Sequence, residues 1–457
     1  EMAAAVLFRR FAADIDGLKR ADRYVAVDVI PFDQSWITSN SPAHVDFDLA
    51  PLRELFRRCE DDGLVFGFAH NHPATFDAFS QRDEENEMTL LRAIANRNGK
   101  HVNMVALLLC DGTWVARTRS AQEPEPVQAR HVAVIDGERL RLHGVTPSDS
   151  TGGDEDVLAR QAAAFGRPFV DKMRSLRIGV IGASGTGSPS GTLLTRSGAG
   201  ELVFFDPDAL ANSNLNRVRG ARRADVGRNK AHWLREYALS LDLGNAVAAF
   251  GTCIDEDTDA LDALATCDVI FGCTDDQIGR EVLNAACYAF AVPLIDVGLG
   301  GWIDKDAADR VRLRGHYGRV STVCPEAGDC LHCQGVVTPE GVRRQYALRE
   351  NANLTEAELK ERYLTGGTEE APGVGPFTGA VGDFAVATLY DLLIGFRKWP
   401  ATLRRDMLLI DFVLMEFRSP ESKAKPDCPF CGTRELLLRK SKYRLGRPSL
   451  GVANVAF

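Results

Sequence analysis

The sequence predicts an α/β protein made of two globular parts and a polar linker. From about residue 172, apolar runs such as "LRIGVIGASGTGS", "AGELVFFDPD" and "CDVIFGCTDD" alternate with helical stretches, which predicts a doubly wound parallel sheet. The stretch 145–156, "VTPSDSTGGDED", is polar and glycine-rich, as linkers are. We therefore divide the 457 residues into a first domain at 1–143, a linker and leading helix at 144–171, and a second domain at 172–457.

The first domain is predicted to be α+β, because short strand-like runs are separated by helix-like stretches around 50–60 and 84–98. The strand-like runs are "AAAVLF", "RYVAVDVI", "GLVFGFAH", "VNMVALLL" and "TWVARTR". A further amphipathic helix is predicted over 157–175, where it leads into the second domain.

The composition is that of an ordinary globular protein, with 45% hydrophobic residues, 26% charged residues and a formal net charge of −9. This negative charge argues against nucleic acid or an anionic membrane as the main partner. We expect no transmembrane helix and no signal peptide from the apolar runs and the first residues. Eleven cysteines, mostly single, do not resemble a secreted disulfide framework, so we expect a cytoplasmic protein.

A glycine-rich turn follows the first strand of the second domain. Gly182, Gly185 and Gly187 permit a tight turn and a close approach of the backbone to phosphate at a helix N-terminus. Asp206 ends the next strand, where an acid can hold a ribose hydroxyl. These residues alone predict a nucleotide-binding domain, and an NAD-dependent dehydrogenase is the first interpretation.

Three further features indicate a triphosphate instead. Asn214, Asn216 and Arg217 follow the acidic strand end, and Lys230 supplies a second cation thirteen residues after Arg217. Asp275 follows a later apolar strand, where an acid that faces phosphates suits Mg²⁺.

These motifs together resemble the ThiF/MoeB/HesA and ubiquitin-activating enzyme family over residues 172–300. The matching elements are "GASGTGS", "FFDPD", "SNLNR", "VGRNKA" and "CTDD". The resemblance implies that ATP and Mg²⁺ activate the C-terminal glycine carboxylate of a ubiquitin-like or sulfur-carrier protein as an acyl-adenylate. It further implies that Asp206 binds the ribose, that Arg217 and Lys230 bind phosphates, and that Asp275 binds or positions Mg²⁺.

Two positions depart from the family pattern. Ser184 stands where the family usually has glycine, and Asp276 stands where asparagine is common. Either difference is expected to tune or weaken ATP binding.

Two C-x-x-C pairs lie far apart in the second domain. Cys330 and Cys333 form the first pair, and Cys428 and Cys431 form the second. Four thiolates suit a tetrahedral Zn²⁺ ion, and a redox dithiol is the alternative. The resemblance implies that this zinc is structural.

The segment 373–395 resembles the glycine-containing helix that closes the adenylation domain in this family. Family members that carry their partner as a thioester have a nucleophilic cysteine in the preceding crossover, but 334–372 contains no cysteine. Either the activated carboxylate passes directly to another acceptor, or Cys324 or another cysteine serves.

A second chemical motif lies in the first domain, in "HNHPATFDAFSQRD". His70, His72 and Asp83 predict a three-ligand zinc site with an open fourth position, as catalytic zinc sites have, and Ser80 lies one helical turn before Asp83. A polar loop with chance histidines is the alternative. Zinc-bound water would need a carboxylate as general base.

This spacing resembles the JAB/JAMM metalloproteases, which cleave ubiquitin-like proteins from conjugates. The resemblance implies that both histidines and Asp83 bind zinc, that Ser80 stabilises the oxyanion, and that an upstream glutamate activates water. Glu1, at the head of "EMAAAVLF", is the best match, and Asp28 and Asp46 are competing candidates.

The two resemblances imply one substrate, the tail of a ubiquitin-like protein, and fusions of this kind are known in bacteria. We expect a bifunctional enzyme that adenylates this tail and cleaves after it, with ATP, Mg²⁺ and two Zn²⁺ ions. The alternatives are sulfur-carrier activation for cofactor biosynthesis and a nonenzymatic scaffold, of which Ser184 is the one hint. The resemblance implies a homodimer and allows an E2-like conjugating protein as a further partner.

Overall fold

The computed structural model describes residues 2–41, 44–73, 77–146, 155–305, 310–325, 327–350 and 373–433. The chain forms two compact units. Unit 1 consists of Glu1–Ala12, Asp22–Val134 and Arg141–Ser148, and unit 2 consists of Ala13–Ala21, Ile135–Leu140 and Asp149–Phe457.

The described residues up to 146 form an α+β arrangement, and strands and helices occur where the sequence predicts them. The strands are β1 (Ala3–Ala13), β2 (Ala21–Pro31), β3 (Ile37–Ser41), β4 (His44–Phe47), β5 (Val65–His72), β6 (Asn103–Cys110), β7 (Thr113–Ser120), β8 (Val127–Gln128), β9 (Val132–Ile135) and β10 (Leu140–His143), and the helices are α1 (Leu52–Asp62) and α2 (Gln81–Asn98).

A six-stranded sheet in the order β2-β1-β5-β6-β7-β8 is the framework of unit 1. The two central strands β5 and β6 are parallel, while β1 pairs antiparallel with β5 and β7 pairs antiparallel with β6. Val6, Phe8, Ala69 and Val105 form a buried apolar cluster between these strands. Both histidines lie at the carboxyl end of β5, so their backbone is held by a packed central strand.

The described residues from 155 onward begin with two helices that lead into the second sheet. The helices are α3 (Glu155–Phe165), α4 (Arg167–Ser175), α5 (Gly187–Arg196), α6 (Lys230–Ser240), α7 (Thr258–Ala265), α8 (Gln277–Ala289), α9 (Pro339–Glu350) and α10 (Gly375–Ile394), and the strands are β11 (Arg177–Ile181), β12 (Glu201–Phe205), β13 (Ala246–Phe250), β14 (Val269–Gly272), β15 (Leu294–Lys305), β16 (Val311–Val323), β17 (Met407–Asp411) and β18 (Glu416–Arg418).

The second sheet has the order β13-β12-β11-β14-β15-β16-β17-β18. The first five strands in this order are parallel neighbours, which confirms the predicted Rossmann-like sheet. The order reverses between β11 and β14, and this switch point opens a crevice at the carboxyl ends of the strands.

The predicted doubly wound parallel sheet is extended by three antiparallel strands, because β16, β17 and β18 each pair antiparallel with the strand before them. Between β15 and β16 only five residues intervene, too few for the helix that a parallel crossover needs.

The helix predicted over 157–175 is in fact two helices, α3 and α4. Gly166 lies between them with φ of 86°, a left-handed conformation that ends α3 and that glycine adopts without strain.

Helix α10 occupies the position predicted for the closing helix of the second domain. By length and composition alone it is long and apolar enough to cross a membrane, a property that buried core helices share. Because α10 packs against α5, β15 and β16, it is a core helix of unit 2.

Candidate functional sites

The glycine-rich turn between β11 and α5 has the tight geometry that its sequence predicts. Gly182 has φ of 90°, and a Cβ atom there would lie 2.6 Å from the Cys273 carbonyl oxygen. At Gly187 a Cβ atom would lie 1.7 Å from the Gly182 carbonyl oxygen, so neither position has space for a side chain. The amide of Ala183 donates to Asp206 Oδ2 over 2.7 Å, which joins the turn to the end of β12.

The two departures from the family pattern fit the local backbone. Ser184 is not among the residues with positive φ, so a serine there causes no backbone strain. Asp276 is the N-cap of α8, and its Oδ1 accepts a hydrogen bond of 2.6 Å from the Gly279 amide. Aspartate and asparagine are equally good N-caps, so this change preserves the start of α8.

Lys230 and Asp206 lie together beside the glycine-rich turn. Lys230 is only 7% exposed, and its Nζ lies 2.7 Å from Asp208 Oδ2 and 3.9 Å from Asp206 Oδ1. Burial raises the pKa of Asp206, and the nearby Lys230 opposes this effect. Sequence reasoning overlooked Asp208, although it is the second acid of the quoted "DPD". A bound triphosphate would replace Asp208 as the anionic partner of Lys230.

Arg217 lies in a short turn that is stabilised by hydrogen bonds to Asn214. The Asn214 side-chain oxygen accepts from the Ala211 amide over 2.9 Å, and its carbonyl accepts from the Arg217 amide over 3.0 Å. A Cβ atom on Gly185 would lie 3.2 Å from Arg217 Cδ, so the arginine stem runs along the glycine-rich turn. The structure therefore assigns Asn214 a direct part in positioning Arg217.

Asp275 follows β14 on the other side of the switch point. Gly182 lies against Cys273 and Thr274, so the loop that carries Asp275 adjoins the glycine-rich turn. Asp275 is exposed, and carboxylate oxygens are the ligands that Mg²⁺ prefers. The residue types at this crevice therefore fit a nucleotide with its magnesium ion.

The four paired cysteines come together in one cluster. Cys330 Sγ lies 3.6 Å from Cys428 Sγ, and Cys333 Sγ lies 3.6 Å from Cys431 Sγ. Four sulfur atoms around a tetrahedral zinc at 2.3 Å are about 3.8 Å apart, so the cluster has nearly the required size. Because each thiol contacts one from the other pair, the geometry favours one four-thiolate site over two separate dithiols.

Two aromatic rings support this cluster. His332 and Phe430, the corresponding residues of the two pairs, stack with ring centroids 4.5 Å apart. His332 Nε2 lies 3.2 Å from Glu281 Oε1 on α8. The cysteine cluster therefore contacts the helix that begins next to Asp275.

Replacing Cys431 by serine is expected to destabilise unit 2, because the zinc ion would lose one of four ligands. If zinc is present at about 1,000 times its Kd, complete loss of binding lowers the free energy of unfolding by about 4 kcal/mol. Thermal melting with and without a chelator measures this effect. Cys253→Ser is the control, and an equal loss in both variants would contradict a specific zinc site.

Cys324 is poorly suited to thioester formation. It is 2% exposed, and burial raises the pKa of its thiol to about 12. A nucleophilic cysteine must be accessible and form its thiolate, so neither condition is met.

The three predicted metal ligands of unit 1 also converge. His70 Nε2 lies 2.9 Å from Asp83 Oδ1, His72 Nε2 lies 3.4 Å from Asp83 Oδ2, and the two Nε2 atoms are 3.2 Å apart. Ligands of a tetrahedral zinc at 2.0–2.1 Å are about 3.3 Å apart, so one ion fits among all three. All three residues are buried, which makes a chance polar loop a poor explanation.

Asp83 is held by the first turn of α2. Ser80 is the N-cap, and its hydroxyl and its amide lie 2.7 and 2.6 Å from Asp83 Oδ2. Burial alone would raise the pKa of Asp83, but hydrogen bonds from His70 and Ser80 outweigh burial and hold this pKa below its usual range. Asp83 is therefore anionic, as a metal ligand must be.

Sequence reasoning missed the buried ion network that fixes α2 one turn after Asp83. Glu87 is 1% exposed and accepts hydrogen bonds of 2.9 Å from Arg117 Nη2 and 2.7 Å from Arg119 Nε, both on β7. The Arg117 guanidinium also lies 4.0 Å from the centroid of the Phe79 ring, next to the N-cap. This network holds α2, and with it Asp83, against the sheet.

Replacing Glu87 by alanine is expected to destabilise unit 1 by about 3 kcal/mol, the lower end of the range for a broken buried ion pair. The two buried guanidinium groups would lose their buried carboxylate and keep only the exposed Glu84. Hydrogen exchange of unit 1 amides measures this change. Glu54→Ala is the control, since its pair with Arg57 is exposed and worth about 0–1 kcal/mol. Equal effects of the two substitutions would contradict a structural role of the network.

Glu1 lies outside the described residues. The strand that follows it begins at Ala3, directly opposite His70, and the Met2 amide donates to Asn71 Oδ1 over 2.5 Å. The two competing bases are engaged elsewhere, because Asp28 pairs with Arg58 at 2.6 Å and Asp46 pairs with Arg82 at 2.8 Å.

Comparison with known proteins matches residues 158–430, more than half of the chain, to the ThiF family. The chain is 25% identical to molybdopterin-synthase adenylyltransferase of Escherichia coli K12, with 57% of this chain and 89% of that protein covered. It is 27% identical to the sulfur carrier protein ThiS adenylyltransferase of the same organism, with 57% and 88% covered. The crystal structure of E. coli MccB with ATP superposes with a TM-score of 0.44 at 19% identity and covers 62% of this chain and 76% of that one.

Proposed function

The chain belongs to the ThiF family, and on that premise we propose that unit 2 adenylates the C-terminal carboxylate of a ubiquitin-like or sulfur-carrier protein. The observation that carries this proposal is the crevice at the switch point, where the glycine-rich turn, Asp206, Lys230 and the Asp275 loop lie together. The relatives named above are adenylyltransferases, and one is named for a sulfur carrier protein.

The proposed reaction needs charge neutralisation rather than a general base. A carboxylate oxygen of the tail bonds to the α-phosphorus of ATP, the bond from that phosphorus to the bridging oxygen breaks, and pyrophosphate leaves with the electron pair. Lys230 and Arg217 would offset negative charge on the phosphates, and the glycine-rich turn would let backbone amides approach them. Mg²⁺ bound near Asp275 would supply further charge neutralisation and orient the triphosphate.

ATP–pyrophosphate exchange tests this function. A small carrier protein that ends in Gly-Gly is expected to start the exchange, and the same protein without its last two glycines is the control. Exchange without any carrier, or none with a panel of carriers, would contradict the proposal.

The fate of the adenylate distinguishes conjugation from sulfur transfer. The crossover segment 334–372 contains no cysteine, and Cys324 is buried with a raised pKa. Both observations favour direct transfer to an external acceptor, as in thiocarboxylate formation. Mass spectrometry of the carrier after reaction with a sulfur donor detects this product, and a thioester on the enzyme would support conjugation with an E2-like partner.

For unit 1 we propose a zinc metallopeptidase of the JAB/JAMM type that cleaves after the same kind of tail. His70, His72 and Asp83 would hold the ion, and the three distances among them support this assignment. Zinc would supply a water molecule acidified toward neutral pH. Glu1 would take a proton from that water. The Ser80 hydroxyl, which donates to Asp83 Oδ2 in this structure, would turn to donate its hydrogen bond to the oxyanion.

We further propose that the protein is a cytoplasmic homodimer. None of the eleven cysteines, all of which lie in the described part of the chain, forms a disulfide, which suits a reducing compartment. Ser184 was the one sequence feature that suggested a nonenzymatic scaffold. Because Ser184 fits the turn without backbone strain, it no longer supports that alternative.

A further inference from the structure

Helix α9 is hydrogen-bonded to the N-terminus of α8, the helix that begins next to Asp275. The Gln345 side-chain oxygen accepts hydrogen bonds of 2.6 Å from the Gln277 amide and 3.0 Å from the Ile278 amide. These amides belong to the first turn of α8 and have no acceptor within the helix. A further hydrogen bond joins the same two helices, because the Gln277 side-chain oxygen accepts from the amide of Thr338, directly before α9, over 3.0 Å.

Arg349 adds a second anchor one helical turn after Gln345, on the same face of α9. Its Nη1 lies 2.8 Å from Asp255 Oδ2, and its Nη2 lies 3.9 Å from Asp276 Oδ1. Cys253, Asp255 and Glu256 could by themselves form a metal-binding group. Because Asp255 is occupied by Arg349, we assign Asp255 to the attachment of α9.

The contacts of α9 lie directly after Asp275 in the chain, at residues 276–278. Asp276 caps α8, and Thr274 Oγ1 donates to the Asp276 carboxylate. Asp275 lies between these two residues and is itself exposed, so its position depends on how firmly its neighbours are held. Arg349 contacts Asp276 directly. Gln345 holds the next two residues, Gln277 and Ile278, from a helix about 70 residues away in sequence.

We infer that Gln345 and Arg349 are positioning residues, which hold the Asp275 loop in the arrangement that binds Mg²⁺ with ATP. This inference rests on the proposed adenylation function. It predicts that loss of the α9 contacts raises the Mg²⁺ concentration needed for nucleotide binding and leaves carrier recognition unchanged.

Two substitutions at Gln345 test this role. Gln345→Met has similar length but no acceptor, whereas Gln345→Glu retains an acceptor for both α8 amides. Loss of these hydrogen bonds is expected to raise the Mg²⁺ concentration for half-maximal binding of a non-hydrolysable ATP analogue by about three- to tenfold. Gln345→Glu is expected to stay close to the wild type, as is Arg343→Met on the exposed side of α9.

Isothermal calorimetry of the full chain measures analogue binding, and pyrophosphate exchange gives the KM for the carrier. A Mg²⁺ requirement that rises in Gln345→Met alone, with the carrier KM unchanged, is the expected result. The same Mg²⁺ requirement in Gln345→Met and the wild type would overturn the inference and leave the adenylation proposal intact. A wild-type chain that binds no nucleotide with Mg²⁺ would overturn both.

Discussion

Replacing Asp275 by asparagine is expected to lower ATP–pyrophosphate exchange by about a hundred- to a thousandfold, the effect of removing one electrostatic group from an active site. Asparagine has nearly the same shape but no charge, so the loop between β14 and α8 should keep its conformation. The proposed attack by a carboxylate on ATP brings negative charges together, and the charge that offsets them would be lost with its ligand. Initial exchange rates at saturating carrier and varied Mg²⁺ measure the effect.

The neighbouring residue provides a matched control. Asp276→Asn makes the same chemical change one position later, where the side chain caps α8. Because asparagine is an equally good cap, the start of α8 should persist. Exchange should therefore fall much less than in Asp275→Asn, by no more than the loss of the Arg349–Asp276 pair causes. Comparable losses in the two variants would indicate that the loop tolerates no change of charge and that Asp275 has no special role.

Replacing Asp83 by asparagine is expected to abolish both the proposed peptidase activity and the proposed zinc binding of unit 1. Loss of a residue that only hydrogen-bonds to a metal ligand lowers metal affinity by about ten- to a hundredfold. Loss of a ligand itself should lower metal affinity by at least as much. Metal analysis should therefore find about two zinc ions in the wild-type chain and about one in the variant. Cleavage of a carrier that is extended beyond its Gly-Gly end gives the second measurement.

Glu85→Gln is the control for this substitution, because Glu85 lies on the same turn of α2 and is exposed. It should retain both zinc ions and the cleavage activity. Pyrophosphate exchange should be unchanged in Asp83→Asn, and a simultaneous loss of exchange would contradict two independent sites.

Residues that follow strands were predictable from the sequence. An apolar run predicts a strand, and ligand-binding side chains in parallel sheets lie at the carboxyl ends, so Gly182, Asp206 and Asp275 could be expected near one crevice. The two histidines were predictable for a related reason, since alternate residues of a strand face the same side.

Contacts between distant segments were not predictable in this way. Glu87 meets Arg117 across 30 residues, and Gln345 meets Gln277 across 68, and neither pair has a local sequence pattern. A glutamate on a helix is usually exposed, so only the fold shows that Glu87 is buried. Gly166 is different, because a glycine inside a helical pattern is itself a signal of interruption.

The cysteine cluster has a consequence for how the protein is made. Cys330 and Cys428 are 98 residues apart. At a synthesis rate of 5–20 residues per second, the first thiol pair leaves the ribosome about 5–20 s before the second. Throughout that interval a nascent chain holds two of the four cysteines, and the cluster is completed only when almost the whole of unit 2 has been translated.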